Sequence, residues 1–165
     1  MSARAVIDSL AFARSAGQLS GEVQVADLGR LAEGLAAGGG VLRYALTGET
    51  DGRGRPRLRL RVDGGISLVC QRCLGSLPHE VAVESVLLVL DGGESAPAED
   101  LDDLDAVKAE SEFDVWSLVE DEVLLALPMA PRHAEGACNA APAAGVNEAA
   151  SPFAALAGLK SRPVN

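Results

Sequence analysis

The chain has 165 residues, is 48% apolar but only 3% aromatic, and carries a formal net charge of −10. That length suggests one domain with tails. The shortage of aromatics calls for an aliphatic core of leucine and valine, enough for one sheet layer packed by helices. The anionic balance argues against a general nucleic-acid binder, and no segment approaches the ~18 continuous apolar residues of a membrane span.

Three cysteines, two of them in a close pair, fit a reducing compartment better than a disulfide framework. The N-terminus lacks the basic patch and apolar run of a signal peptide, so a soluble cytoplasmic protein is expected. Charge is unevenly spread. Residues 1–73 carry ten arginines and seven acids, a net of +3, whereas residues 74–165 carry four basic residues and 17 acids, a net of −13. The asymmetry leaves room for a local basic face.

In chain order, residues 20–25 read as a short strand. Asp27 then stands as N-cap of a brief helix over 28–37, with Leu28, Leu31 and Leu35 on one face and Gly38-Gly39-Gly40 as its stop. From 41 to 90 the chain reads as an antiparallel meander. Residues 41–50 form one strand, and Asp51-Gly52-Arg53-Gly54 form a turn. Residues 57–62 alternate strictly, and Asp63-Gly64-Gly65 read as a second turn. Ile66-Ser67-Leu68-Val69 runs into Cys70-Gln71-Arg72-Cys73, and residues 80–90 return as a valine- and leucine-rich strand.

Residues 91–114 hold ten acids against Lys108 alone, with Gly92-Gly93 and Pro97, a composition of solvated, mobile loops. Asp114 caps a helix that ends at Leu127-Pro128. Beyond Pro131 the chain turns rich in alanine, glycine, asparagine and proline. Ser151-Pro152 then reads as N-cap and N1 of a short helix with Phe153, Leu156 and Leu159 on one side. These elements predict an α+β fold, an antiparallel β meander (a partial barrel being one form it can take) covered by one or two helices. Residues 1–130 form a single domain with a mobile acidic loop at 91–112, and residues 131–165 a flexible tail with a short C-terminal helix.

Three constellations could carry chemistry. In Arg57-Leu58-Arg59-Leu60-Arg61-Val62, alternation puts three guanidiniums on one face and three aliphatics on the other. Same-face neighbours stand roughly 6.5–7 Å apart, similar to successive phosphates on an extended nucleic acid, and Arg53 and Arg55 extend the row. Arginine's planar fork suits phosphate. The row has two readings, an RNA-contacting ribbon or an ordinary solvent-facing sheet surface neutralised by neighbouring acids. With no interleaved aromatics for base stacking, RNA contact would go to backbone or shape. The acidic loop could also lie over the row as a tethered anion.

The second constellation is Cys70, Cys73, His133 and Cys138, which permits a Cys3His zinc site. A redox dithiol or three inert thiols are the other readings. The third is Glu122, which a 100° step places inside the apolar arc of Val115, Val119, Val123 and Ala126, with Ser117, Glu120 and Asp121 opposite. A buried carboxylate needs a partner, and Arg72 is the expected one. No P-loop, G-x-G-x-x-G, G-x-S-x-G or H-E-x-x-H occurs, so catalysis is not expected, nor is a small-molecule substrate or a membrane partner.

The order of motifs resembles one family. Leu68-Val69-Cys70-Gln71-Arg72-Cys73-Leu74 is followed by a valine-rich strand, an acidic loop, and the run from Val119-Glu120-Asp121-Glu122 to Leu127-Pro128. Pro131-x-His133 and the stretch from Pro152-Phe153 to Leu159-Lys160 complete the pattern. This resembles the YceD family of large ribosomal RNA subunit accumulation proteins. The resemblance implies a non-enzymatic factor in the synthesis, processing or stability of large-subunit ribosomal RNA, with that RNA or its precursor particle as partner. A protein-interaction adaptor acting on ribosomal proteins and a Cys-x-x-Cys thiol oxidoreductase are the alternatives. Many relatives have a second cysteine cluster that with the first looks like a zinc site; this chain keeps only His133 and Cys138 there.

Overall fold

Strict alternation of apolar and polar residues, three times in succession, builds the central sheet. The computed structural model describes residues 4–36, 39–92 and 105–138. Within them the elements are β1 (Val6–Ile7), α1 (Ser9–Arg14), β2 (Gln18–Gln24), α2 (Gly29–Glu33), β3 (Val41–Thr50), β4 (Pro56–Val69), β5 (Ser76–Leu90), β6 (Asp105–Lys108), β7 (Phe113–Asp114) and α3 (Val115–Ala126). β2 to β6 form one five-stranded sheet in sequence order, and β1 pairs with β7 in a separate two-stranded one. The fold is α+β with a mostly antiparallel meander, and the sheet is open rather than a closed barrel.

Register follows burial, because a one-residue slip would carry every apolar side chain to the other face. Leu46 pairs with Leu60 and Tyr44 with Val62, so the aliphatic face of β3 and β4 is continuous. Leu42, Leu46, Leu58, Leu60 and Val62 are at most 1% exposed. Helix α3 lays Val115, Val119 and Val123 on that face, each fully buried. Its start is as expected, with the Asp114 carboxylate accepting from the N–H groups of Trp116 (3.0 Å) and Ser117 (3.3 Å).

Several local expectations are corrected. Asp63-Gly64-Gly65 is no turn, and β4 runs straight through it. Gly64 is there for close approach, since a Cβ would stand 2.5 Å from the Val41 carbonyl oxygen. β5 begins at Ser76, four residues before the expected start. The loop expected over 91–112 is in part a strand, β6, paired parallel to residues 87–90 of β5. Residues 93–104 and the expected helix from Ser151 lie outside the described residues, as does Gly38 of the expected glycine stop.

Helix α1 was not anticipated. Asp8 caps it through the Ala11 N–H at 2.8 Å, and it lies so close to β3 that a Cβ on Gly48 would meet the Phe12 carbonyl oxygen at 2.2 Å. Helix α2 is shorter than predicted, and Asp27 does not cap it. Asp27 lies in a 3-10 turn over Val25–Asp27, and the residue at the cap position, Leu28, has no side-chain cap. The cap comes from α3, where Glu120 accepts from the Leu31 N–H at 3.0 Å.

Candidate metal centre and arginine face

Val69 ends β4 and Ser76 begins β5, so the hairpin closes through residues 70–75. The closure is a tight knuckle. The Cys70 N–H donates to the Gly75 carbonyl and the Leu74 N–H to the Cys70 carbonyl, both at 2.9 Å. Leu74 takes a left-handed conformation, φ 58°, where a Cβ is unfavourable. Past α3 the chain returns to this end of the sheet, and the Gln71 N–H donates to the Pro131 carbonyl at 2.8 Å. Residues 131–138, expected as the start of a flexible tail, therefore pack against the knuckle.

This return brings all four expected donors together. One ligand atom from each of Cys70, Cys73, His133 and Cys138 lies within 4.8 Å of the other three. A tetrahedral zinc, with Zn–S of about 2.3 Å and Zn–N of about 2.0 Å, sets sulfur–sulfur edges of about 3.8 Å and sulfur–nitrogen edges of about 3.5 Å. The Cys70 and Cys138 sulfurs are 3.8 Å apart. His133 Nδ1 is 3.5 Å from the Cys73 sulfur and 3.7 Å from that of Cys138. These three edges have the spacing of a zinc site, and the remaining ones lie within 4.8 Å.

The outer partners fit as well. His133 Nε2–H donates to the Ser76 carbonyl at 3.0 Å, which leaves Nδ1 as the free lone pair, the usual arrangement for a ligating histidine. Arg72 Nε donates to the Cys138 sulfur at 2.9 Å, and its Nη2 donates to the carbonyls of His133 and Ala134. Burial pushes the Cys70 thiol up, but the backbone N–H groups of Cys73, His133 and Arg72 outweigh it and lower it to about 5. The Gly75 N–H favours the Cys73 thiolate, yet burial and the Cys70 and Cys138 sulfurs leave that thiol raised. The Cys138 and Cys70 sulfurs raise His133. The neighbouring sulfurs thus oppose ionisation of Cys73, a penalty that a cation seated among the donors would relieve.

The same geometry weighs against a thiol oxidoreductase, which needs an accessible nucleophilic sulfur. Cys70, the thiol with the lowered pKa, is 0% exposed.

Arg72 is not the partner of Glu122. It lies in the knuckle beyond the strand ends, whereas Glu122 faces the middle of β5 and accepts a hydrogen bond from the Ser85 hydroxyl. Glu122 is buried at 8%, as expected, but by a neutral partner. The helix's ion-paired buried acid is Glu120, which had been placed on the polar face. Its carboxylate holds Arg30 at 2.8 Å and is 7% exposed. The buried arc of α3 is wider than predicted because α2 packs on its flank, and sequence periodicity carries no signal of that neighbour.

The arginine row keeps its expected geometry but not its expected freedom. Arg57, Arg59 and Arg61 share the face opposite Leu58, Leu60 and Val62. Register sets carboxylates beside them, with Glu49 opposite Arg57 and Glu84 opposite Arg61. Arg59 binds Glu49 at 3.1 Å and Glu84 at 3.0 Å, and Arg61 shares Glu84 at 3.1 Å. Asp51 holds both Arg55 and Arg57 at 2.7 Å, while accepting from the backbone N–H groups of Arg53 and Arg55 at 2.9 Å. The Arg55 N–H leads the contacts that hold the Asp51 carboxyl below the usual range, against its burial. Of the two readings of the row, this geometry matches the sheet surface neutralised by neighbouring acids and not an open ribbon. Arg61, with 64% of its side chain exposed, is the most open of the central three. Among the described residues, carboxylates on the row come from the neighbouring strands and the 51–55 turn; the acidic loop expected to lie over it falls largely on residues 93–104, outside the described residues.

The family model described as "Large ribosomal RNA subunit accumulation protein YceD" matches residues 58–160, well over half of the chain. The matched span contains most of β4, all of β5 and α3, and all four donors. No solved structure matches the chain. No helix among the described residues is long and apolar enough to cross a membrane.

Proposed function

This chain belongs to the YceD family, and from that membership we propose that it is a non-enzymatic factor promoting the synthesis, processing or stability of large-subunit ribosomal RNA. The family match carries the reading, and the coarser role, ribosome biogenesis, comes with it. The chain acts in the cytoplasm on that RNA or its precursor particle. Zinc bound by Cys70, Cys73, His133 and Cys138 pins the β4–β5 hairpin end to the segment after α3. Bound there, the metal supplies charge and cross-linking rather than chemistry, since four protein donors leave no open position.

The test is depletion of the protein in its own cells, with large- and small-subunit ribosomal RNA quantified together. A fall in the large-subunit species, restored by the wild-type gene, is expected. An unchanged ratio overturns the reading.

A second reading is favoured by one observation, the carboxylates already seated on the arginine row. In it the protein docks on a basic ribosomal protein and its effect on RNA is indirect. Arg61→Glu separates the two. Direct contact predicts weaker RNA binding with a log–log salt slope flatter by ~0.7–0.9. An adaptor retains both its RNA-dependent phenotype and its protein partners.

A further inference from the structure

Arg72 stands between the two cysteines of the knuckle, yet its side chain is turned to the other half of the metal centre. Nε donates to the Cys138 sulfur at 2.9 Å, and Nη2 donates to the carbonyls of His133 and Ala134 at 3.3 and 3.1 Å. These two nitrogens form one edge of the planar guanidinium, so a single rigid group grips the returning segment at both of its ligand-bearing ends. The segment is folded to receive it. The Ala137 N–H donates to the same Ala134 carbonyl at 3.1 Å, and Gly136 has φ 79°, the left-handed value that a type II turn needs at its third residue. That turn brings Cys138 back beside His133, with the Cys138 sulfur 3.7 Å from His133 Nδ1. Arg72 is an exposed residue, and among the described residues it meets a sulfur and two carbonyls but no carboxylate.

We infer that Arg72 is the positioning residue of the metal centre: it sets the returning segment in place for zinc and balances the charge of the zinc–thiolate cluster through Cys138. The inference rests on the metal reading of Cys70, Cys73, His133 and Cys138 and deepens it. Three thiolates and a neutral imidazole around a divalent ion sum to one negative charge, and one guanidinium cancels it. Hydrogen bonds to an ionised partner are the stronger kind, so the contact from Nε–H strengthens as Cys138 becomes a thiolate. Cys73 and His133 are also 60 residues apart in sequence. Bringing two such distant segments together costs loop-closure entropy, and contacts that hold them before the ion arrives lower that cost to binding. Neither glutamine nor lysine in this place does both jobs. Glutamine lacks the charge, and lysine keeps it but offers no planar edge of two nitrogens.

The test measures zinc binding by the full-length protein in competition with a chromogenic chelator, for wild type, Arg72→Gln, Arg72→Lys and Arg61→Gln. Arg72→Gln should bind zinc about 10–100-fold more weakly, the usual effect of removing an outer partner of a metal ligand. Arg72→Lys should fall between it and wild type. Arg61→Gln, which removes a charge on the sheet face, should match wild type. A second readout is alkylation of the zinc-loaded proteins by iodoacetamide, mapped by mass spectrometry. It should reach Cys138 faster in Arg72→Gln than in wild type, with Cys70 unchanged. Equal zinc affinity in wild type and Arg72→Gln overturns the inference, as does an equal loss in Arg61→Gln. Wild-type affinity in Arg72→Lys also overturns it, since charge then suffices without the fork. The lysine variant, the milder change, decides the matter if Arg72→Gln does not fold. A wild-type protein that binds no zinc refutes the metal centre and the inference with it, whereas the other outcomes leave the centre standing.

Discussion

Replacing Glu120 with alanine should cost far more than its place on the expected polar face suggests. The carboxylate accepts from the buried Leu31 N–H at 3.0 Å and from Arg30 Nε at 3.0 Å. In Glu120→Ala the Leu31 N–H, near the start of α2, loses its acceptor, at a cost of about 1–3 kcal/mol. The ion pair adds little, because the Arg30 side chain is 55% exposed and water screens it. With a urea m-value of roughly 2 kcal/mol/M, a loss of about 1–3 kcal/mol lowers the unfolding midpoint by about 0.5–1.5 M at unchanged slope. Asp27→Ala removes the cap that the sequence suggests but the fold does not use, and should stay within about 0.5 kcal/mol.

The pH dependence has a definite sign. Burial opposes ionisation of Glu120, but the Leu31 N–H and Arg30 outweigh it and depress its pKa. Its stabilisation is therefore full above the ordinary glutamate value of about 4.3 and is lost as pH falls through the folded value. The gap between wild type and Glu120→Ala should narrow in that acid range. The reasoning is refuted if Asp27→Ala proves the costlier change, or if the gap is flat with pH.

Purified under reducing conditions, the protein should carry about one zinc per chain by elemental analysis, and Cys70→Ser or His133→Ala should lower both that content and the thermal midpoint. An equal midpoint with and without chelator would count against a structural metal. Gly48→Ala should destabilise by about 1–3 kcal/mol through overpacking, because the clash is with helix α1 backbone that cannot swing away; denaturant titration measures it. Leu74→Gly should leave stability unchanged or raise it by up to about 1 kcal/mol, since the side chain is 76% exposed and its φ is 58°. A clear loss in thermal unfolding would show that the exposed leucine has a packing partner.

Some of this molecule was fully legible beforehand. The strand at 41–50, the cap at Asp114 and the two faces of 57–62 rest on residues adjacent in sequence, where propensity, period and capping all agree. The four candidate metal donors could be named because cysteine and histidine are few. Their convergence could not be derived, because it depends on residues 131–138 returning to the hairpin end. Glycines misled where they serve close approach. Gly64-Gly65 looks like a turn in sequence, and only the neighbouring Val41 backbone shows why a side chain is excluded at Gly64.

By itself, then, the amino-acid order determined the local periodicities, the fold class and the family to which the chain belongs. Tertiary structure alone decided which acid meets which base. Glu120 rather than Asp27 caps α2, Ser85 rather than Arg72 holds Glu122, and the arginines of β4 are neutralised by Glu49, Asp51 and Glu84. Periodicity assigns a side chain to a face. A charge's partner depends on the register and packing of segments up to about 90 residues apart, and those are set by burial of the aliphatic core as a whole.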